Sequence, residues 1–239
     1  GRAMPVVGIP VQLLSAQLGL ELGREVLVEH LMHLGCDVEG YATLRRFKCA
    51  RCGNILEITA TQDPPVECRR CGVRFTDVPE ARIDLGETEV IRMELLAVRP
   101  DVFDPGGLAR LLRGYLGQSR GRARYAAQPP VARVTVDPVT QTSACPRPAI
   151  ACAVLRNVKL DDDLIKVLMN LQENLHWALG RDRKHASIGV YDLGTVGYPE
   201  FRYRGVAPEG VRFVPLGYDP AAPGSAITPR QVLAEHPKG

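Results

Sequence analysis

Aromatic residues make up only 5% of the 239 positions, and just one of them is Trp. The 45% hydrophobic content, mostly aliphatic, is nevertheless enough to build real cores. No stretch approaches the roughly 20 consecutive apolar residues of a membrane-spanning helix, which excludes that class. No secretory signal is visible, and Gly1-Arg2-Ala3 ahead of Met4 reads as a cloning scar. A reducing cytoplasm is the expected setting. Neither a G-x-S-x-G elbow nor a Cys–His pair is present, so no covalent enzyme intermediate is expected. There is no internal repeat. The net charge is only +3, so no global excess of one sign points to a partner.

Against this background stand two short cysteine knuckles, Cys49-Ala-Arg-Cys52-Gly53 and Cys68-Arg-Arg-Cys71-Gly72, with fifteen residues between the pairs. Four thiolates brought together from two turns are what a tetrahedral ion of zinc type needs. Each knuckle ends in Gly, which can take the positive φ that turns backbone N–H groups toward sulfur. Two disulfides are the alternative. Four cysteines close the coordination sphere, so the expected Zn(2+) is structural rather than catalytic. The other cysteines, Cys36, Cys145 and Cys152, lie in apolar contexts and read as small core residues.

The charge is unevenly placed. Between Leu44 and Phe75 lie seven basic residues and three acids, a local excess of +4. A basic ribbon is a phosphate-contacting surface or, equally, the solvated face of a small module.

Periodicity organises the rest. Residues 5–43 read as two short helices, with Leu27, Leu31 and Leu34 on one face and Gly35 as the stop. The ribbon follows at 45–76. From Glu89 to Val98 apolar and charged residues alternate, with Ile91, Met93, Leu95 and Ala97 opposite Arg92 and Glu94, as in a half-buried strand. Asp104-Pro105 is an N-cap and first helical position, and Leu108, Leu111, Leu112, Tyr115 and Leu116 form the stripe that follows. Residues 118–130 read as a basic linker. Val131–Val136 is strand-like, and Ala149–Val158 is apolar enough for a strand buried on both faces. Asp161-Asp162-Asp163 opens the longest helix, whose core stripe is Leu164, Leu168, Leu171, Leu175 and Leu179 before Gly180. His185–Tyr191, Phe201–Arg204 and Val211–Pro215 read as strands.

Several ordered blocks of the second half carry a resemblance. They are Ala153–Lys159 (AVLRNVK), Leu171–Trp177 (LQENLHW), Gly180–Lys184 (GRDRK), Ile188–Leu193 (IGVYDL) and Arg212–Leu216 (RFVPL). Earlier, Arg99–Asp104 (RPDVFD) with Gly107–Gly117 (GLARLLRGYLG) adds to it, as do the opening Met4-Pro-Val-Val and the closing His236–Gly239. Together they resemble the beta subunit of phenylalanine–tRNA ligase in its archaeal and eukaryotic form. The cysteine ribbon lies outside the usual pattern, and Tyr191-Asp192 stands where the family has a His-Asp pair.

The resemblance implies an α+β chain in two parts. Residues 1–125 would be a small α/β N-terminal domain with the zinc ribbon inserted at 45–76, and residues 126–239 an editing-type module that continues past Gly239. It implies hydrolysis of tRNA(Phe) mischarged with tyrosine, since an apolar pocket rejects an added hydroxyl by only about 10²-fold. A held water would attack the ester while donors stabilise the oxyanion. Asn157, Gln172, Glu173, His176 and Asp192 are the residues implied for that site, with Asp192 placed to contact the tyrosine hydroxyl. Arg69, Arg70, Arg181, Arg183 and Lys184 would meet tRNA phosphates. On the bland side, His176 is a structural helix histidine, Glu173 a surface acid, Asp192 a turn cap, and the 181–184 segment a solvated turn. The implied partners are tRNA(Phe) and the synthetase alpha subunit, with neither DNA nor membrane. ATP and Mg(2+) belong to the full synthetase and are not expected on this chain. The alternatives are a stand-alone editing factor acting in trans, or a non-catalytic zinc-stabilised module for tRNA docking or assembly.

Overall fold

The computed structural model describes residues 6–94 and 99–235, apart from 123, 125, 127, 143, 144, 146, 198, 216 and 217. Two compact units emerge, residues 1–127 with 157–189, and residues 128–156 with 190–239.

The first unit is built on a four-stranded antiparallel sheet. Its strands are β1 (Val6–Pro10), β2 (Asp37–Cys49), β3 (Ile55–Thr59) and β4 (Arg82–Glu94), in the spatial order β1-β4-β2-β3. Three helices, α1 (Val11–Leu18), α2 (Arg24–His33) and α3 (Pro105–Tyr115), contribute Leu14, Leu18, Leu27, Leu31, Leu108 and Leu112 to a core with Ile9, Ile91 and Met93 of the sheet. Each fully buried aliphatic side chain of this kind stabilises the unit by about 1.5–3 kcal/mol.

Local signals are honoured where they were strong. Asp104 accepts from the N–H groups of Gly106 (2.9 Å) and Gly107 (3.1 Å), capping α3 as its position before Pro105 predicts. Burial pushes the Asp104 carboxyl up against the pull of those two N–H groups. Leu108 and Leu112 are buried, whereas Tyr115 at the end of the stripe is exposed and its hydroxyl lies 3.0 Å from His33 Nδ1. The alternation from Glu89 is a strand with Ile91 and Met93 buried and Arg92 exposed, while Leu95 and Ala97 lie outside the described residues.

The two-helix reading of residues 5–43 needs correction. β1 precedes α1, and residues 37–43 open β2 rather than continuing a helix. Five residues of apolar run cannot distinguish strand from helix, and the partner that decides is β4, which pairs Val6 with Glu94.

The helix α4 (Asp162–Ala178) belongs to the first unit. Asp161 caps it through Leu164 N–H at 2.8 Å, with Asp162 and Asp163 in the first turn as read. Its leucine stripe is not a core stripe. Leu164, Leu168, Leu171 and Leu175 are half-buried, Leu179 is 71% exposed, and the buried side chain is His176.

The second unit has a parallel pair, β5 (Arg133–Val136) and β6 (Glu200–Tyr203), an isolated bridge from Phe213 to Ile227, and a short helix α5 (Pro229–Glu235). Three expected strands do not form, Val211–Pro215 being reduced to that isolated bridge at Phe213. Ala149–Val158 is irregular and largely exposed, with Leu155 at 79%, and His185–Tyr191 has no regular secondary structure. Apolar composition alone does not supply the neighbouring strand that a ladder requires. Of the cysteines read as core residues, Cys36 is buried, Cys145 is half-buried and Cys152 is exposed.

Candidate functional site

The two knuckles fold alike. Cys49 C=O accepts from Gly53 N–H and Cys68 C=O from Gly72 N–H, both at 2.8 Å, while Cys49 and Cys68 N–H donate to Asn54 O (2.8 Å) and Val73 O (2.9 Å). Gly53 and Gly72 have φ of 69° and 71°, the left-handed conformation that closes each turn. The four Sγ atoms of Cys49, Cys52, Cys68 and Cys71 lie within 4.8 Å of one another. The Cys49–Cys71 and Cys52–Cys68 separations are 3.7 and 3.6 Å. A tetrahedron with Zn–S bonds of about 2.3 Å has an edge of about 3.8 Å, so the cradle fits such an ion. A disulfide would need sulfurs about 2.05 Å apart, and all four are free thiols.

The electrostatics suit a cation. Burial pushes Cys49 up against the N–H groups of Cys52 and Arg51, and it pushes Cys52 up to about 12. At Cys68 burial also acts upward but is outweighed by the N–H groups of Cys71 and Arg70 and by neighbouring thiols, leaving it lowered to about 7. Four sulfurs this close cannot all ionise alone, whereas a bound dication would hold all four as thiolates.

A second polar cluster sits at the end of α4. Gly180 is buried and its Cβ would stand 2.5 Å from Ala186 O and 2.7 Å from His176 O, so only glycine fits there. Arg181, Asp182 and Arg183 follow with φ of 47°, 53° and 64°, a run of left-handed residues that reverses the chain. The reversal carries Ile188 back against the helix. Ile188 N–H donates to His176 Nε2 at 2.7 Å, and Gln172 Nε2 donates to Ile188 C=O. Residues one helical turn apart thus hold the N–H and the C=O of one residue, Ile188, which has no sheet partner. With Nε2 accepting, the imidazole proton falls on Nδ1, 3.7 Å from Glu173 Oε1. Glu173 is also paired with Arg183, whose guanidinium holds its carboxyl below the usual range.

Replacing His176 with Ala is expected to leave the Ile188 N–H unpaired beside a cavity, lowering stability by about 2–4 kcal/mol. Amide exchange at Ile188 should accelerate by the corresponding factor. An unchanged rate there would show that the imidazole does not hold this peptide.

The structure therefore gathers Gln172, Glu173, His176 and Arg183 of the read site residues. Arg181 and Lys184 are exposed in the turn, and Asn157 is exposed with φ 58°. Asp192 belongs to the second unit, where its Oδ1 accepts from Gly194 N–H (2.9 Å) and its carbonyl from Thr195 Oγ1 (2.8 Å). Arg69 and Arg70 are exposed on the second knuckle. By contrast, Arg46 and Lys48, counted toward the basic ribbon surface, are already paired with Asp163 and Asp162. Asp162 and Asp163 read from the sequence as partners of the helix dipole alone, and the fold adds these pairs. A basic strand and an acidic helix start of matching length were the available signal.

This architecture has a counterpart among solved structures. A solved N-terminal fragment of the phenylalanyl-tRNA synthetase beta-subunit from Pyrococcus horikoshii superposes over 98% of this chain and 53% of that fragment, with a TM-score of 0.66 at 20% identity. Sequence likeness runs to proteins named phenylalanine–tRNA ligase beta subunit. That of Methanosarcina barkeri is 42% identical over 159 residues, covering 66% of this chain and 27% of the relative. That of Methanothrix thermoacetophila is 38% identical over 165 residues, covering 68% and 29%. That of Methanococcus maripaludis is 36% identical over 169 residues, covering 70% and 29%. The matches thus span little more than a quarter of each relative's length. No family model matches the chain. Among the described residues, no helix is long and apolar enough to cross a membrane.

Proposed function

We propose that this chain is the N-terminal part of a phenylalanine–tRNA ligase beta subunit of the archaeal and eukaryotic type, working in the cytoplasm with an alpha subunit and tRNA(Phe). The observation that carries the reading is 36–42% identity to beta subunits over about two thirds of the chain. Its first part, residues 1–125, is the N-terminal domain with its inserted ribbon. Residues 126–239 are an editing-type module. ATP and Mg(2+) act elsewhere in the full synthetase.

The chemistry proposed for that module is hydrolysis of a tyrosyl ester on tRNA(Phe). Asn157, Gln172, Glu173 and His176, in the first unit, and Asp192, in the second, are the residues assigned to it. Gln172 and His176 act as positioning residues, because their polar atoms are engaged with the Ile188 peptide. The segment they fix runs on to Asp192, whose carboxylate is the group to recognise the phenol hydroxyl. A site that hydrogen-bonds the hydroxyl selects tyrosine positively, where an apolar pocket discriminates poorly. Arg69, Arg70, Arg181, Arg183 and Lys184 contact tRNA phosphates. The cysteine cradle holds a structural zinc ion, which organises the ribbon and takes no part in hydrolysis.

The test is deacylation by the protein assembled with its alpha subunit. Tyr-tRNA(Phe) should lose its amino acid faster than Phe-tRNA(Phe), and Asp192→Ala should erase the difference. Equal slow loss of both would refute the editing assignment. Preferential hydrolysis by the chain without any alpha subunit would instead make it a factor acting in trans.

A further inference from the structure

The helix that carries Gln172, Glu173 and His176 packs against the turn Pro100–Val102 but fully buries no apolar side chain of its own. Its leucines are half-buried or exposed, and Ile165 and Met169 are about two-fifths exposed at 41% and 40%. What it does have is a reciprocal set of charges. Arg46 and Lys48 lie two apart on β2, and Glu57 of β3 stands directly opposite Arg46 in the sheet register. Two cations and one anion thereby share the root of the ribbon hairpin. α4 meets them with two anions and one cation, Asp162 and Asp163 in its first turn and Lys166 one turn later. Lys48 Nζ reaches both Asp162 carboxylate oxygens, at 2.6 and 2.9 Å, Arg46 pairs with Asp163, and Lys166 pairs with Glu57. These pairs are sheltered. The Arg46 side chain is only 16% exposed, so losing Asp163 would leave a half-desolvated guanidinium.

The hairpin that presents these charges is closed by the first cysteine knuckle. Lys48 immediately precedes Cys49, and β3 begins at Ile55, three residues after Cys52. The β2–β3 register, and with it the spacing of Arg46, Lys48 and Glu57, depends on that turn. We propose that the cysteine ribbon is a metal-dependent dock for α4, so that occupancy of the four-thiolate cradle sets the order of the helix bearing the polar cluster. Arg46, Lys48 and Glu57 are positioning residues in this arrangement. The inference rests on the proposed function only for what α4 carries, and the docking stands without it.

Hydrogen exchange followed by mass spectrometry tests this on the full chain, with no tRNA present, so the outcome is independent of any editing activity. Chelation should speed exchange in residues 49–75 and, by about tenfold or more, in α4, while α3 keeps its protection. In metal-loaded protein, Asp162→Lys should loosen α4 alone, and adding Lys48→Asp should restore its protection. An α4 that stays protected when the ribbon opens would overturn the proposal. So would an Asp162→Lys variant with unchanged α4 exchange, or chelation that exposes α3 as fully as α4.

Discussion

Replacing Gly107 with Ala is expected to abolish the native packing of the first unit. The added Cβ would sit 1.6 Å from Asp101 O and 2.8 Å from Asp101 C, both backbone atoms that no rotamer change can move. Asp101 is itself pinned, since Arg99 donates to its carboxylate through two bonds of 2.8 Å each. The other side is no freer. Asp104 caps the helix through Gly107 N–H, and the next residue, Leu108, is fully buried in the core. The helix can relieve the clash only by pulling Leu108, Ala109 and Leu112 away from α1 and the sheet. Such a disruption belongs with the largest single-residue effects, above about 4 kcal/mol. In thermal unfolding that corresponds to a drop of about 10 °C or more. Gly114, on the same helix, has open space around its Cα. Gly114→Ala should therefore raise stability by about 1 kcal/mol through helix propensity alone. The two variants differ only in what a methyl group meets, so similar melting temperatures would show that the 101–107 contact is not as tight as described.

Metal removal is the other large effect. The ribbon's own core consists of Cys49, Cys68, Val73, Phe75 and Ala81, with Leu56, Cys52 and Cys71 partly buried against it. Two of its five buried residues are ligands, so little hydrophobic burial remains to order two turns without an ion. Structural zinc of this kind contributes about 10 kcal/mol or more to the folded state at neutral pH. Native mass spectrometry of protein purified without added metal should find one ion per chain. Cys68→Ser should lose it, together with the ordered amide signals of both knuckles, while Leu14, Leu31 and Leu108 keep native packing in their separate core. An ion-free chain with an ordered ribbon, or cysteines recovered as disulfides, would contradict the metal assignment.

The legibility of these features differs for physical reasons. The cysteine cradle was readable because ligand chemistry is local, two thiols per tight turn with a glycine to close it. The caps at Asp104 and Asp161 were readable because an N-cap acts on N–H groups two or three residues away. The role of His176 was only half readable. Its spacing from Gln172 placed both on one helix face, but their target, the Ile188 peptide, becomes adjacent only through the left-handed reversal at residues 181–183. Three non-glycine residues in that conformation leave no compositional mark. The apolar run at 149–158 misled because composition reports what could be buried and not what is available to cover it.

Residue order alone dictates the chemistry that acts over one or two turns: four thiolates in two knuckles, capped helices, and the alternation that buries Ile91 and Met93. Contacts between distant segments select which strand β1 joins, press Gly107 against Asp101, and pair the basic root of the ribbon with a helix. Arg46 and Lys48 lie 117 and 114 residues from Asp163 and Asp162. Charge is long-ranged and unspecific along a chain, so a cationic strand is equally compatible with a phosphate, with water or with any acidic segment, and it is the folded backbone that chooses among them.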